Sequence, residues 1–163
     1  GMKTLLILRH AKSSWKENGL ADHDRSLNKR GRRDAPRIGE LLRERGLVPD
    51  VILSSSAKRA KRTAEIVAEE SGFGGEILLS RELYTAWPES YIDALSLQPD
   101  QNGCVMVVGH NPGLEELLLV LTGEAERMPT AALAQVTLPI DSWSELSYET
   151  AGELVKIWRP REL

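Results

Sequence analysis

Only one cysteine, Cys104, occurs in these 163 residues. That excludes an internal disulfide framework and any zinc site built from several cysteines. No apolar run approaches the ~20 residues that a membrane-spanning helix needs, so no membrane partner is expected. The first apolar run starts almost directly after Met2, which leaves no room for a secretory leader, and the expected location is cytoplasmic. Gly1, ahead of Met2, reads as the remnant of a cleaved expression tag. Excess positive charge is lacking too: the net charge is -3 and the pI about 5.7. Binding of nucleic acid through bulk electrostatics is therefore not expected. Nor is there a GxxxxGK[ST] segment, which argues against a nucleotide-driven kinase of the Walker type.

What remains is an ordinary globular balance, 41% apolar and 28% charged, in a chain the size of one domain, residues 1–163. The run Leu5-Leu6-Ile7-Leu8 has the continuous apolarity of a strand buried on both faces. It stops abruptly at Arg9-His10. Val51-Ile52-Leu53 and Cys104 to Val108 are similar runs, and Cys104 itself reads as a small buried hydrophobe. Weaker strands are expected at Glu76 to Leu79, Ala132 to Leu138 and Glu153 to Trp158. Helical spacing places a helix ending near Arg45, and Pro36, which belongs in a first turn, puts its start near Asp34. Further helices are expected from Ala57 to Glu70 behind a serine cap, from Pro88 to Leu97, and from Leu114 to Leu121. Ser13 to Lys29 is a polar loop, long enough to suggest function. Strands alternating with helices predict an α/β fold whose core sheet is mostly parallel.

In such a sheet the carboxyl ends of the strands share one edge, where open α/β folds bind ligands. Two strands end in histidine, at His10 and His110. A third leads through Ser54-Ser55-Ser56 to Arg59 in the first turn of a helix. Alone, Arg9-His10 reads as a solvated strand end. Together, Arg9, His10, Arg59 and His110 read as a convergent anion site. Guanidinium forks match tetrahedral oxyanions, a helix N-terminus adds N–H donors, and neutral imidazole is a competent nucleophile near pH 7. Lys12 and Asn111 continue the same turns and are candidate substrate contacts. Lys58, Lys61 and Arg62 read as a solvated helix face. Trp15, Trp87, Trp143 and Trp158 read as packing residues. His23 could join His10 and His110 as a metal triad, but the arginines around them disfavour a divalent cation, and no metal or other cofactor is expected.

These blocks carry a family resemblance. Leu8-Arg9-His10-Ala11-Lys12, the segment Ser54 to Ala64, and Val107 to Gly113 resemble the three signature blocks of the histidine phosphatase (phosphoglycerate-mutase-like) superfamily. The likeness is closest to its short SixA-type phosphohistidine phosphatase branch, which Asp24 to Gly31, Leu83 to Ala86 and Pro129 to Leu133 also resemble. The resemblance implies a single-domain three-layer α/β fold with a mixed, mainly parallel sheet flanked by helices. It implies that His10 is the nucleophile that becomes phosphorylated, that Arg9 and Arg59 hold the phosphoryl oxygens, and that His110 completes the pocket. No metal is required in that pattern.

The chain departs from the larger, mutase-type relatives at the general acid. They supply a glutamate between the second and third blocks; here Glu82 and Glu89 are the candidates, and neither falls on the expected position. A weak or missing acid suits leaving groups that need little protonation, such as a phosphohistidine imidazole. No insertion beyond the loop after the first strand is long enough to form a lid. The expected function is a metal-independent phosphatase acting on protein phosphohistidine. A broad small-molecule phosphomonoesterase and a non-catalytic phosphate- or phosphoprotein-binding module are the alternatives. The expected partner is accordingly a phosphohistidine-bearing protein or a small phosphorylated substrate.

Overall fold

The alternation of fully apolar strands with amphipathic helices resolves into three layers. The structure is a computed structural model that describes residues 1–16 and 19–163. Its strands are β1 (Lys3–Arg9), β2 (Val51–Ser55), β3 (Glu76–Ser80), β4 (Cys104–Gly109), β5 (Leu133–Leu138) and β6 (Glu153–Trp158), and its helices are α1 (Lys29–Glu44), α2 (Lys58–Ser71), α3 (Pro88–Ser96) and α4 (Gly113–Thr122). One sheet runs β3-β2-β4-β1-β5-β6. The first four strands of that order are parallel, and β5 lies antiparallel to β1 and β6 to β5.

Side chains alternate across a strand, and β1 shows the consequence. Leu6 and Leu8 join Met106 and Val108 in a core with Ile38, Leu42 and Val67 of α1 and α2. Leu5 and Ile7 point the other way, joining Val105 and Val107 in a core with Tyr91, Leu95, Leu114 and Leu117 of α3 and α4. Burial of each such aliphatic side chain contributes roughly 1.5–3 kcal/mol, which is why β1 and β4 read as continuous apolar runs. β3, at the edge, is mostly exposed.

α1 begins five residues earlier than its sequence suggests. Asn28 caps it, accepting from the Gly31 N–H at 2.9 Å, and Pro36 sits inside the helix at the cost of one helical hydrogen bond. α2 has no serine cap: Ala57 holds that position, although Ser55 Oγ accepts from the Ala57 N–H at 3.1 Å. The expected long loop contains a short 3-10 turn, Asp22–Asp24, and a bridge between Ser13 and Leu27. Glu17 and Asn18, within that stretch, lie outside the described residues. Among the described residues no helix is long and apolar enough to cross a membrane. Cys104 is partly buried against the α1/α2 core, and burial pushes its thiol up to about 12. Trp143 and Trp158 are packed inside. Trp15 and Trp87 are not: they are 72% and 65% exposed, because both stand on segments beyond the strand ends.

Candidate active site

Strand register brings the two histidines together. Arg9 of β1 lies opposite Gly109 of β4, so the next residues, His10 and His110, leave the sheet side by side, and the His10 N–H donates to the Gly109 carbonyl at 3.1 Å. Their ring centres are 4.9 Å apart. The neighbouring strand β2 pairs Ser54 with Val108, which delivers Ser55 beside His110; Ser55 Oγ and His110 Nε2 are 2.8 Å apart. Arg59 enters from the first turn of α2. Thr63 braces that turn to β1, accepting from the Ala11 N–H at 3.0 Å and donating to the Arg59 carbonyl at 2.7 Å. Ala131 adopts a left-handed conformation (φ 61°). Its N–H there reaches the carbonyls of both Arg9 and His10, each at 3.1 Å.

His10 is buried, and its Nδ1 lies 2.7 Å from the Ala11 carbonyl. A carbonyl only accepts, so Nδ1 carries the hydrogen and the lone pair sits on Nε2. Burial, then the neighbouring His110, pushes the His10 imidazole down to about 3. Burial, then Arg59, takes His110 to about 4. Both rings are therefore neutral at physiological pH.

This depression has a stability consequence. Between the folded values and the unfolded one of ~6.5, the unfolded chain binds protons that the folded chain does not, so stability rises with pH there. It is fully present above pH ~6.5 and is lost as pH falls toward about 4 and about 3. Thermal melts are expected to show Tm falling between about pH 6.5 and pH 4.5, and His110→Asn is expected to flatten that slope. An unchanged slope in the variant would contradict the assignment.

Around the histidines is a cleft of about 620 Å³, lined also by Arg9, Lys12, Asp22, Arg25, Arg59 and Tyr84. Arg9 donates through Nη1 to the Met128 carbonyl at 3.2 Å. The Nε groups of Arg9 and Arg59 are buried donors without a partner among the described residues. Such groups are costly unless an anion meets them. Asp22 occupies part of this cationic ring. Its carbonyl accepts from Arg59 Nη1 at 2.7 Å, and its carboxylate accepts from Arg59 Nη2 at 3.0 Å, Tyr84 at 2.5 Å and Arg25 Nε at 3.0 Å. The Tyr84 hydroxyl first, with Arg59 and Arg25, holds that carboxyl far below the usual carboxylate range.

The structure brings together Arg9, His10, Arg59 and His110, with Lys12 and Asn111 on the cleft wall. Asn111 spends its amide hydrogens on Met128 O at 2.8 Å and Glu115 at 3.1 Å, so it braces the Met128 segment rather than offering N–H donors to a ligand. Glu82 and Glu89 are exposed and lie outside the cleft: Glu82 faces a separate groove beside Leu53 and Leu83. Among the described residues, the carboxylates that line the cleft are Asp22 and Glu116. Sequence reading missed Ser55, Tyr84, Asp22 and Arg25, each of which looks like a generic polar loop or cap residue. His23 turns out to contact Ser56 at 2.8 Å and to pack edge-on against Tyr84.

Gly109 is required by close approach. A Cβ there would stand 2.1 Å from the Tyr91 hydroxyl oxygen, and Tyr91 is fully buried. Gly109→Ala is expected to cost about 1–3 kcal/mol, read as a lower Tm, with partial recovery in the double variant Gly109→Ala/Tyr91→Phe. Full stability of the single variant would contradict the packing.

In sequence and fold the chain is similar to known proteins. The histidine phosphatase superfamily (branch 1) description matches residues 5–84, from β1 to Tyr84. An uncharacterized chloroplastic protein of Arabidopsis thaliana is 33% identical, over 88% of this chain and 70% of its own. An uncharacterized protein of Mycobacterium leprae is 31% identical over 94% of this chain and 100% of its own. A solved structure from Agrobacterium tumefaciens, provisionally assigned as the phosphohistidine phosphatase SixA, superposes with a TM-score of 0.83 at 31% identity, over 97% of this chain and 98% of that one. The tungstate complex of the protein histidine phosphatase SixA shares the fold, with a TM-score of 0.82 at 21% identity over 97% of both chains. The chain belongs to the histidine phosphatase superfamily, in its SixA-type branch.

Proposed function

We propose that this protein is a metal-independent phosphatase that passes the phosphoryl group through His10 and acts on protein-borne phosphohistidine. The observation that carries the reading is the tautomer of His10: Nδ1 is held by the Ala11 carbonyl, which leaves the Nε2 lone pair for the cleft. Substrate phosphate meets the guanidinium groups of Arg9 and Arg59, which line the cleft and supply charge-assisted hydrogen bonds. Ser55 already accepts from the Ala57 N–H. Its hydroxyl hydrogen can serve His110 Nε2, leaving the His110 hydrogen on Nδ1 for a phosphoryl oxygen. His10 Nε2 attacks phosphorus, a P–N bond to His10 forms, and the bond to the leaving atom breaks. The leaving imidazole departs neutral when its ring is protonated beforehand. Water then attacks phosphorus, the P–N bond to His10 breaks, and orthophosphate is released with the proton going to solvent. Positioning and preorganised cationic donors do most of this work.

The cleft of about 620 Å³ has room for a phosphorylated imidazole, and Asp22, held ionised by Tyr84, Arg59 and Arg25, offers no proton to an alkoxide, which supports phosphohistidine over a sugar phosphate. A pure binding module would have no use for the oriented lone pair of His10. The test is phosphate release from a phosphohistidine-bearing protein with a chelator present. Turnover is expected to survive chelation, whereas turnover that needs an added divalent ion would overturn the reading.

A further inference from the structure

A second groove, of about 720 Å³, adjoins the catalytic cleft and shares Lys12, Ser13 and Trp15 with it. It is lined by five cations, Lys12, Lys16, Lys29, Arg30 and Arg32, and by no carboxylate among the described residues. Lys16, Lys29, Arg30 and Arg32 are exposed. Arg32 gives one N–H to the Leu27 carbonyl at 2.7 Å, and Arg30 is ion-paired with Asp34 at 3.8 Å, which leaves Lys12, Lys16, Lys29 and Arg32 as the groove cations with no ion pair among the described residues. This concentration of positive charge occurs in a chain whose net charge is -3.

Its placement runs against stability. Lys29, Arg30 and Arg32 belong to the first turn or so of a 16-residue helix whose first turn carries no acidic residue. The helix dipole there is positive and repels cations, by about 0.3–1 kcal/mol for each charge. Charges that weaken the fold are explained by a ligand that offsets them. Trp15, whose ring centre lies 3.4 Å from the Arg25 guanidinium carbon, lines both this groove and the catalytic cleft.

We propose that this groove holds an acidic stretch of the substrate protein, aspartate and glutamate side chains flanking the phosphorylated residue. The inference rests on the protein-substrate reading above. The groove shares the walls Lys12, Ser13 and Trp15 with the cleft of phosphoryl transfer, so a protein substrate seated in the cleft lays its flanking residues along the groove. Five separated cations over an open surface suit several carboxylates strung along an extended segment better than one compact anion.

Lys29→Glu/Arg32→Glu is the informative variant. Neither residue touches the phosphate site, and both changes place acid where the α1 dipole favours it, so the variant folds. Binding of a fluorescent hexaglutamate peptide, read by anisotropy at low salt, is expected to weaken at least about ten-fold in the variant, and high salt is expected to erase the difference. KM for a phosphohistidine peptide with acidic flanks is expected to rise by a similar factor, while kcat and aryl phosphate hydrolysis stay unchanged. Equal hexaglutamate binding by both proteins, or salt-independent binding, would overturn the proposal. So would tight binding of tripolyphosphate or an oligonucleotide with none of the peptide. Peptide binding that behaves as expected, without hydrolysis of the phosphohistidine peptide, would defeat the substrate reading and leave the groove intact.

Discussion

His10→Asn is expected to lower turnover of an aryl phosphate by roughly three orders of magnitude or more, about 4 kcal/mol of lost transition-state stabilisation. Asparagine keeps a polar group near the Ala11 carbonyl but offers no basic lone pair to phosphorus. The groups that hold the phosphoryl oxygens remain in place, because Arg9 is tied to Met128 and Arg59 to Asp22 independently of His10. Binding of inorganic phosphate, measured by calorimetry, is therefore expected to persist in the variant while kcat collapses. A variant that retained turnover would show that water attacks the substrate directly. One that lost phosphate binding in parallel would show that His10 acts chiefly as a ligand.

Leaving-group selectivity is the second large effect. A positioned general acid contributes about 10²–10⁴-fold when an alkoxide must depart. Asp22 cannot supply that proton: its carboxylate accepts from Tyr84, Arg59 and Arg25 and stays ionised. Glu82 and Glu89 stand outside the cleft. Hydrolysis of a phosphohistidine protein or an aryl phosphate is thus expected to exceed that of a sugar phosphate by at least about 10² in kcat/KM. Faster hydrolysis of the sugar phosphate would require an acid. Glu116, on α4 and lining the cleft, is then the residue to examine. Glu116→Gln is expected to leave sugar phosphate turnover within about three-fold, a change too small for loss of a general acid. A larger fall for alkyl than for aryl substrates would identify it as the proton donor.

How much of this was legible in the sequence varied with the physics behind each feature. β1, β2 and β4 are buried on both faces, and such strands announce themselves as unbroken apolar runs that stop at a functional edge. Arg9, His10, Arg59 and His110 were therefore readable from their position at strand ends. The start of α1 was misplaced because Pro36 was weighed by its local preference, while the Asn28 cap and the packing of Ile38 and Leu42 decide the matter. Trp15 and Trp87 read as packing residues, yet both are exposed and line the cleft. Asp22, Arg25 and Tyr84 meet only because the loop after β1 folds back over α2. No spacing rule encodes a contact between residues 62 positions apart. Ser55 was visible as one of three serines, but only the β2–β4 register selects it as the partner of His110.

The central claim is that phosphorus becomes bonded to His10 during turnover. It is tested most directly by mixing excess enzyme with a phosphoryl-labelled aryl phosphate, quenching in alkali within the first turnover, and locating the label by peptide mass spectrometry. The account predicts a label on the peptide carrying His10, stable to alkali, released by acid, and absent from His10→Asn. A protein that turns over without any labelled intermediate, or a label that survives acid and maps to another residue, would contradict it.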